Sequence, residues 1–409
     1  MIFEVRIVSK ENHDSKGDDL LAEIKRTLRI NSVNKIRTAK IYRIENISEK
    51  DLDAFLNKVL WESVNQDFFL KKPAIKGAAN VIEIAYKPGV MNPEVASLKK
   101  AASDLKIKND AVDSSFEYYF FGKPSQNELG KITKRLLLNE NIETVVKTSP
   151  KTLRIKTTPG KTKTVPLRNM NDKQLIKLSK DSLFLNLEEM KTIQDYFKKI
   201  KRDPIDCEVE TLAQTWSEHC VHKTFKADVT IDGKRKEPFI KRIKSTLKFN
   251  PKIVVSAFED NSGVIDFYDG YAICGKVETH NSPSAIEPYG GAMTGSGGVF
   301  RDVLGTGQGA KIIASTDIFC FAPPDMDESE VPPGCLSPNY ILRRVVSGIR
   351  DYGNRVGVPT NNGSFHFHPD FKAKPTVAAG AYGILPKSQA QKGKPQKGDL
   401  IVTIGGRTG

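Results

Sequence analysis

Residues 271–302, YAICGKVETHNSPSAIEPYGGAMTGSGGVFRD, decide how this chain is read. Positions 271–279 alternate as a strand, and side chains two apart on a strand share a face. Lys276, Glu278 and His280 therefore stand in one row. A cation, a carboxylate and an imidazole so placed can hold a nucleotide phosphate, a hard divalent metal and a reacting polar group. The chain then enters a glycine-rich bend containing Gly290, Gly291, Gly295, Gly297 and Gly298, and reaches a second cation–carboxylate pair, Arg301-Asp302. Glycines let backbone amides approach an anion, and an adjacent carboxylate can take Mg2+. One such residue alone reads as ordinary surface charge. The constellation reads as a site.

Outward from this stretch, strands and helices alternate in both directions. Residues 252–279 read as strands with a turn at Asp260–Gly263, 338–352 as a helix, and 376–385 and 399–404 as strands. Such mixing predicts an α+β or α/β domain over 205–385. The ending IVTIGGRTG reads as a strand running into a glycine turn, so 386–409 is expected to begin a further domain that the chain cuts short. Upstream, 183–201 and 208–218 carry helical spacing. Residues 139–204 form a basic linker domain, Lys/Thr/Pro-rich over 139–180. Residues 1–138 read as two copies of one small unit. The first has strands at 1–8 and 36–47 and helices at 17–30 and 49–60. The second has strands at 81–86 and 114–121 and helices at 92–105 and 125–138. That repeat predicts a ferredoxin-like sandwich with a structural or interaction-forming role.

The 409 residues bear a net charge of +14, of which +11 lies in 131–202, with 18 Lys/Arg against 7 Asp/Glu. The lysines there are scattered and carry little aromatic interleaving, so no nucleic-acid signature emerges. A solvated connector, or one that attracts phosphorylated substrates, fits better. No apolar run approaches the roughly 20 residues that span a bilayer, and MIFEVRIVSK lacks a signal-peptide layout. Five scattered cysteines without a CxxC argue against a disulfide framework or structural zinc, and for a reducing cytoplasm.

Other chemistry is weaker taken locally. His219, Cys220 and His222 in SEHCVH could ligate zinc, but no second pair completes a site. A catalytic His219 and a capping role both stay open. His366 and His368 would share a strand face, and GTGQGAK (305–311) offers a phosphate-cradling loop with Lys311 but matches no standard fingerprint.

Taken together, SEHCVHKTF (217–225), KVETHNSPSAIEPYGGAMTGSGGVFRD (276–302), GTGQGAK (305–311) and YGNRVGVPTNNGSFHF (352–367) closely resemble the phosphoribosylformylglycinamidine synthase (PurL) family. The resemblance implies a duplicated PurS-like, ferredoxin-type sandwich, a helical linker, and an AIR-synthetase-like (PurM-type) amino-terminal ATP-binding domain. It implies a ligase of purine biosynthesis, using ATP, Mg2+ and ammonia from glutamine to convert formylglycinamide ribonucleotide to formylglycinamidine ribonucleotide through an iminophosphate. Residue by residue, it implies catalytic roles for His219 and His280, and nucleotide contacts for His222 and Lys276. It further implies substrate contacts for Thr279, His280, Asn281, Ser282 and Arg301, and metal ligation by Glu278 and Asp302. His219 and the Glu278–Asp302 cluster would form a composite site. Many members read HNHPS where this chain has His280-Asn281-Ser282-Pro283-Ser284, so position 282 offers only a hydroxyl. Expected partners are the missing carboxy-terminal synthetase half, a glutaminase domain or subunit, and a dimer mate through the AIR-synthetase-like domain, in the cytoplasm, with neither nucleic acid nor membrane. The fragment alone is expected to make no product from glutamine. Two alternatives stand beside this: another enzyme of the AIR-synthetase superfamily, and a non-catalytic phosphate- or nucleic-acid-binding module driven by the basic linker.

Overall fold

The computed structural model describes residues 1–70, 74–154 and 160–405. The chain forms two compact units, one of Met1–Ile155 with Val255–Gly409 and the other of Lys156–Val254.

The first unit opens with a repeated pattern. β1 (Ile2–Ser9), α1 (Ser15–Glu23), β2 (Val33–Glu45), α2 (Glu49–Phe55) and β3 (Gln66–Phe69) are followed by β4 (Asn80–Tyr86), α3 (Pro93–Asp104), β5 (Ala111–Gly122), α4 (Gln126–Ile132) and β6 (Glu143–Val145). The strands join in the order β3-β1-β2-β5-β4-β6, with β2 and β5 paired antiparallel at the centre from Val33↔Gly122 to Glu45↔Ala111. Each half thus contributes β-α-β-α-β rather than the β-α-β-α read from sequence, because the short outer strands β3 and β6 carry little apolar pattern. Side-chain caps set the helix starts: Asp14 accepts from Gly17, Asn92 from Glu94, and Ser125 forms a capping box with Glu128. One sheet face buries apolar residues of β1, β2, α2 and α3, including Val5, Ile44, Phe55 and Leu98. The other buries charge: Arg6 is 1 % exposed and pairs with Glu117 at 3.0 Å and Glu4 at 2.9 Å. Burial opposes the charged form of Glu4, but hydrogen bonds from Arg43 and Arg6 outweigh it and hold that carboxyl at about 2.

In the second unit, α5 (Asp172–Lys180), α6 (Leu187–Lys199) and α7 (Asp206–Thr215) share a core of Leu175, Met190, Ile193, Phe197 and Val209. The short helices α8 (Glu218–Val221) and α9 (Lys223–Lys226), the hairpin β7 (Val229–Ile231) and β8 (Lys234–Lys236), and α10 (Phe239–Ser245) follow.

The remainder of the first unit holds β9 (Val254–Ser256), β10 (Gly263–Asp266), β11 (Tyr271–Thr279), α11 (Asn281–Ile286), α12 (Pro288–Leu304), β12 (Lys311–Phe321), α13 (Pro338–Val356), β13 (Thr360–Phe367) and β14 (Thr376–Pro386). Its sheet runs β13-β12-β14-β11-β10-β9. β12 and β13 pair in parallel, while β14 pairs antiparallel with β11 and β12. α12 and α13 cover one face. Their core joins Ala292, Val299, Phe300 and Val303 to Tyr340, Ile341, Val345 and Ile349, over Ala272, Cys274, Val377 and Ala379. α13 ends at Gly357 in the left-handed conformation (φ 78°), which glycine adopts without strain.

Two sequence expectations are corrected. The glycine-rich bend at 290–298 lies within the 17-residue helix α12. Its glycines serve close packing: a Cβ on Gly291 would stand 2.5 Å from the Ser284 amide nitrogen, and one on Gly348 of α13 would stand 2.4 Å from the Tyr289 carbonyl. Residues 399–404 form no strand, and Leu400 and Ile401 are exposed. No strand pairs with them among the described residues, and a strand without a neighbour leaves its backbone groups unpaired.

Candidate functional site

Burial along β11 alternates. Ala272 and Cys274 lie under α12, and Lys276 and Glu278 continue that row with half-buried side chains. Strand periodicity therefore places the two charged side chains on the helix-covered face, at its open margin. His280 departs from the expected row, because β11 ends at Thr279 and His280 occupies the turn before α11 (φ −123°, ψ 59°). The turn is pinned from both sides: the His280 amide donates to the Val377 carbonyl at 2.8 Å, and the Val377 amide donates to Asn281 Oδ1 at 2.9 Å.

α12 supplies the opposite wall. Lys276 Nζ stands 3.0 Å from Asp302 Oδ2, with Asp302 15 % exposed. His280 Nε2 lies 3.7 Å from Glu278 Oε1, and its Nδ1 is buried without a hydrogen-bond partner. Glycines make this proximity feasible: a Cβ on Gly298 would meet Glu278 Oε2 at 3.1 Å, and one on Gly295 would meet the His280 side chain at 3.3 Å. The site thus gathers Lys276, Glu278, His280 and Asp302. Thr279, Ser282 and Arg301 are exposed around them.

The donor set is hard oxygen with a neighbouring imidazole and ammonium. Lys276 engages Oδ2 of Asp302 at 3.0 Å. Mg2+ uses one or two carboxylates and completes its shell with phosphate oxygens and water, so these residues fit that ion. Among the described residues, no group of three or more His, Cys, Asp and Glu side chains is placed to hold a metal by itself. Zinc at His219, Cys220 and His222 is therefore not supported.

In the second unit, His219 and Cys220 are exposed on α8, whose first turn is capped by Ser217. His222 takes the left-handed conformation (φ 55°) that divides α8 from α9. Glu218, which sequence reading passed over, fastens this corner: both of its carboxylate oxygens accept from the Thr224 amide, at 3.1 and 3.2 Å. Lys223 ties α9 to α6 through Glu189 at 2.6 Å. In the other unit, His366 donates to or accepts from Ser364 at 3.0 Å, and His368 lies past the end of β13, so the two imidazoles do not form a ligand pair. Asp317 was also missed. It is buried on β12, where the burial that raises its pKa leaves no charge pattern for a sequence to display.

These features coincide with known domains. Residues 259–385 match the model of the AIR synthase related protein N-terminal domain, and residues 177–223 match the formylglycinamide ribonucleotide amidotransferase linker domain. The chain thus carries a segment similar to the AIR synthase related N-terminal domain, with a segment similar to that linker ahead of it. Its similarity is to phosphoribosylformylglycinamidine synthase subunit PurL: 44 % identity over 247 residues with the Thermoplasma volcanium protein, 42 % over 249 with that of Thermoplasma acidophilum, and 33 % over 216 with that of Thermus thermophilus. The first two alignments take in 60 % of this chain and 30 % of each relative, so the chain spans about a third of the length of these proteins. A structure of Thermotoga maritima PurL complexed with ATP is 31 % identical, with a TM-score of 0.32, over 46 % of this chain and 26 % of that one.

Proposed function

We propose that this chain supplies one wall of the active site of an ATP- and glutamine-dependent ligase that converts formylglycinamide ribonucleotide to formylglycinamidine ribonucleotide. The observation that carries the proposal is the paired arrangement of Lys276 with Asp302 and Glu278 with His280 beneath the glycine face of α12. ATP transfers its terminal phosphoryl group to the substrate's amide oxygen, and ammonia then displaces phosphate from the iminophosphate. Charge accumulates on phosphoryl oxygens, so preorganised cations lower the barrier. Lys276 and the exposed Arg301 are those cations in this chain. Glu278 and Asp302 would hold Mg2+, which supplies further neutralisation of the phosphates when bound. His280 takes up a proton at Nε2, which lies 3.7 Å from the Glu278 carboxylate. Thr279, Asn281 and Ser282 line the approach to the substrate, with Asn281 already committed on its oxygen to Val377. From the motif match, His219 is a further catalytic group and His222 a nucleotide contact.

The proposal extends to the whole assembly. Residues 1–138 are a PurS-like duplication, 139–204 a linker, 205–385 the AIR-synthetase-like domain and 386–409 the start of the next. Ammonia comes from a glutaminase partner in the cytoplasm. Among the described residues, no helix is long and apolar enough to cross a membrane. The sheet face opposite α12 and α13 seats a second AIR-synthetase-like domain.

Titration of MgATP into the purified chain tests the site. Glu278→Ala and Asp302→Ala are expected to weaken binding by roughly tenfold or more each, as for loss of one charge-assisted contact. Substitution of the linker residues Lys161 and Lys163 by Ala is expected to leave it unchanged. Affinity that follows the linker lysines and ignores the two carboxylates would sink the proposal.

A further inference from the structure

Away from the candidate site, a cleft of about 690 Å³ lies within the first unit, between α1 and the β4-β5 side of the first sheet and the outer face of α13. Its size is that of a small-molecule site. The two walls are fixed to each other: Arg135 meets Glu328 at 2.7 Å, Asn139 donates to the Ile286 carbonyl at 2.9 Å, and Arg343 stands 3.5 Å from Glu23. The cleft is therefore preformed, which spares a ligand the cost of ordering it.

Five cations line it, and three of them have acidic partners. Lys40 pairs with Glu94, Arg343 with Glu23, and Arg350 with Asp351. Lys16 and Arg344 do not: among the described residues, neither has a carboxylate at ion-pair distance. Lys16 instead rests over the Phe116 ring at 3.2 Å, and Arg344 over Tyr289 at 4.8 Å. Lys16 keeps contact with solvent in the cleft, yet the surrounding protein, then Lys40 and Arg344, push its ammonium down to about 8. Mutual repulsion among cations held together is relieved by an anion placed between them. Of the lining acids, Asp19 lies beside Arg343. Burial disfavours the charged form of Glu143, while the Asn139 amide and Arg344 act the other way. Aromatic rings from Phe116, Tyr118 and Tyr340 complete the wall.

We propose that this cleft binds a small phosphorylated ligand, its phosphate between Lys16 and Arg344 and its less polar part against the aromatic wall. The ligand bridges the first sheet and α13, so occupancy stabilises the joint between them. Glu143 accepts a hydrogen bond from a ligand hydroxyl.

Calorimetric titration of the chain with inorganic pyrophosphate, AMP and adenosine tests this. An Asp302→Asn background weakens nucleotide binding at the candidate active site, and the Lys16 and Arg344 variants separate what remains there from the cleft. Pyrophosphate and AMP should both bind in that background, with AMP tighter and adenosine undetected. Lys16→Met should weaken both by about tenfold, the equivalent of roughly 1.4 kcal/mol, and Arg344→Gln by as much. Lys16 lies on the surface of α1, so its variant should keep the parent melting temperature even where Arg344→Gln does not. Pyrophosphate binding without any gain from AMP would restrict the site to free phosphates and overturn the aromatic-wall assignment. Absence of binding at millimolar concentration, or binding untouched by Lys16→Met, would overturn the proposal as a whole. So would an equal, Lys16-independent affinity for heparin, which would mark general polyanion attraction.

Discussion

Asp317 shows how one buried side chain can set a pH dependence. It is 4 % exposed on β12, and burial pushes its carboxyl up to about 6, with only the Thr360 hydroxyl at 3.5 Å acting the other way. The folded pKa is raised above the ordinary 3.8, so the folded state binds the proton more tightly than the unfolded chain. The stabilising contribution of that proton is full below about pH 4 and is lost as pH rises through 6. At pH 8 the buried carboxylate costs on the order of 2–3 kcal/mol. Asp317→Asn keeps an oxygen for Thr360 and removes the charge. Urea unfolding at pH 8 should show the variant more stable by about that amount, and at pH 4 nearly equal to the parent. A variant less stable at both pH values would show that the Asp317 carboxylate is held by contacts worth more than its desolvation.

Among the elements, α12 links packing to chemistry most tightly. Gly291 and Gly298 face different neighbours, so their substitution should separate the two. A methyl at Gly291 meets backbone atoms of Pro283 and Ser284 at 2.5–2.6 Å, which cannot yield without moving α11. Gly291→Ala should cost about 2–3 kcal/mol of stability, the scale of overpacking in a closed core. The nearest atoms to a methyl at Gly298 belong to the Glu278 carboxylate, at 3.1 Å, a group that can swing away. Gly298→Ala should melt within a few degrees of the parent, while its MgATP affinity falls about tenfold as Glu278 shifts. Equal effects of the two changes on melting would refute the distinction. The same helix marks the border of what sequence discloses. Lys276, Glu278 and Asp302 were visible as candidates because strand alternation and charge are local signals, but the sequence paired Asp302 with Arg301, whereas the fold sets it against Lys276. The helix itself was not, because five glycines in a row of nine read as a bend when their value lies in contacts with Ser284, His280 and Glu278 from elsewhere in the fold. His280 leaving the strand was hidden for a like reason: Val377, nearly a hundred residues on, ends β11 there. β3 and β6 were missed because three or four residues at a sheet edge need no apolar alternation.

At the scale of the whole molecule, α12 and α13 cover one face of the six-stranded sheet of β9–β14. Strand register sets Ile265, Tyr271, Val277, Ile318 and Tyr382 on the face away from α12 and α13, since Gly275 pairs with Tyr382, Val277 with Gly380 and Ala378 with Ile318. All five are at least 41 % exposed, and Val277 is 65 % exposed. A contiguous apolar face on a sheet marks an interaction surface. Under the proposed function, a second AIR-synthetase-like sheet would stack on it face to face at about 10 Å. In isolation the chain should therefore self-associate through this face. Sedimentation velocity over a concentration series should show a dimer that Val277→Glu or Ile318→Lys converts to monomer, because a charge placed in such an interface must be desolvated without a partner. Both residues lie on the solvent face, so the folded monomer should keep its circular dichroism spectrum and melt within a few degrees of the parent. A chain that stays monomeric at every concentration, or whose dimer survives both substitutions, would remove the sheet face from the assembly.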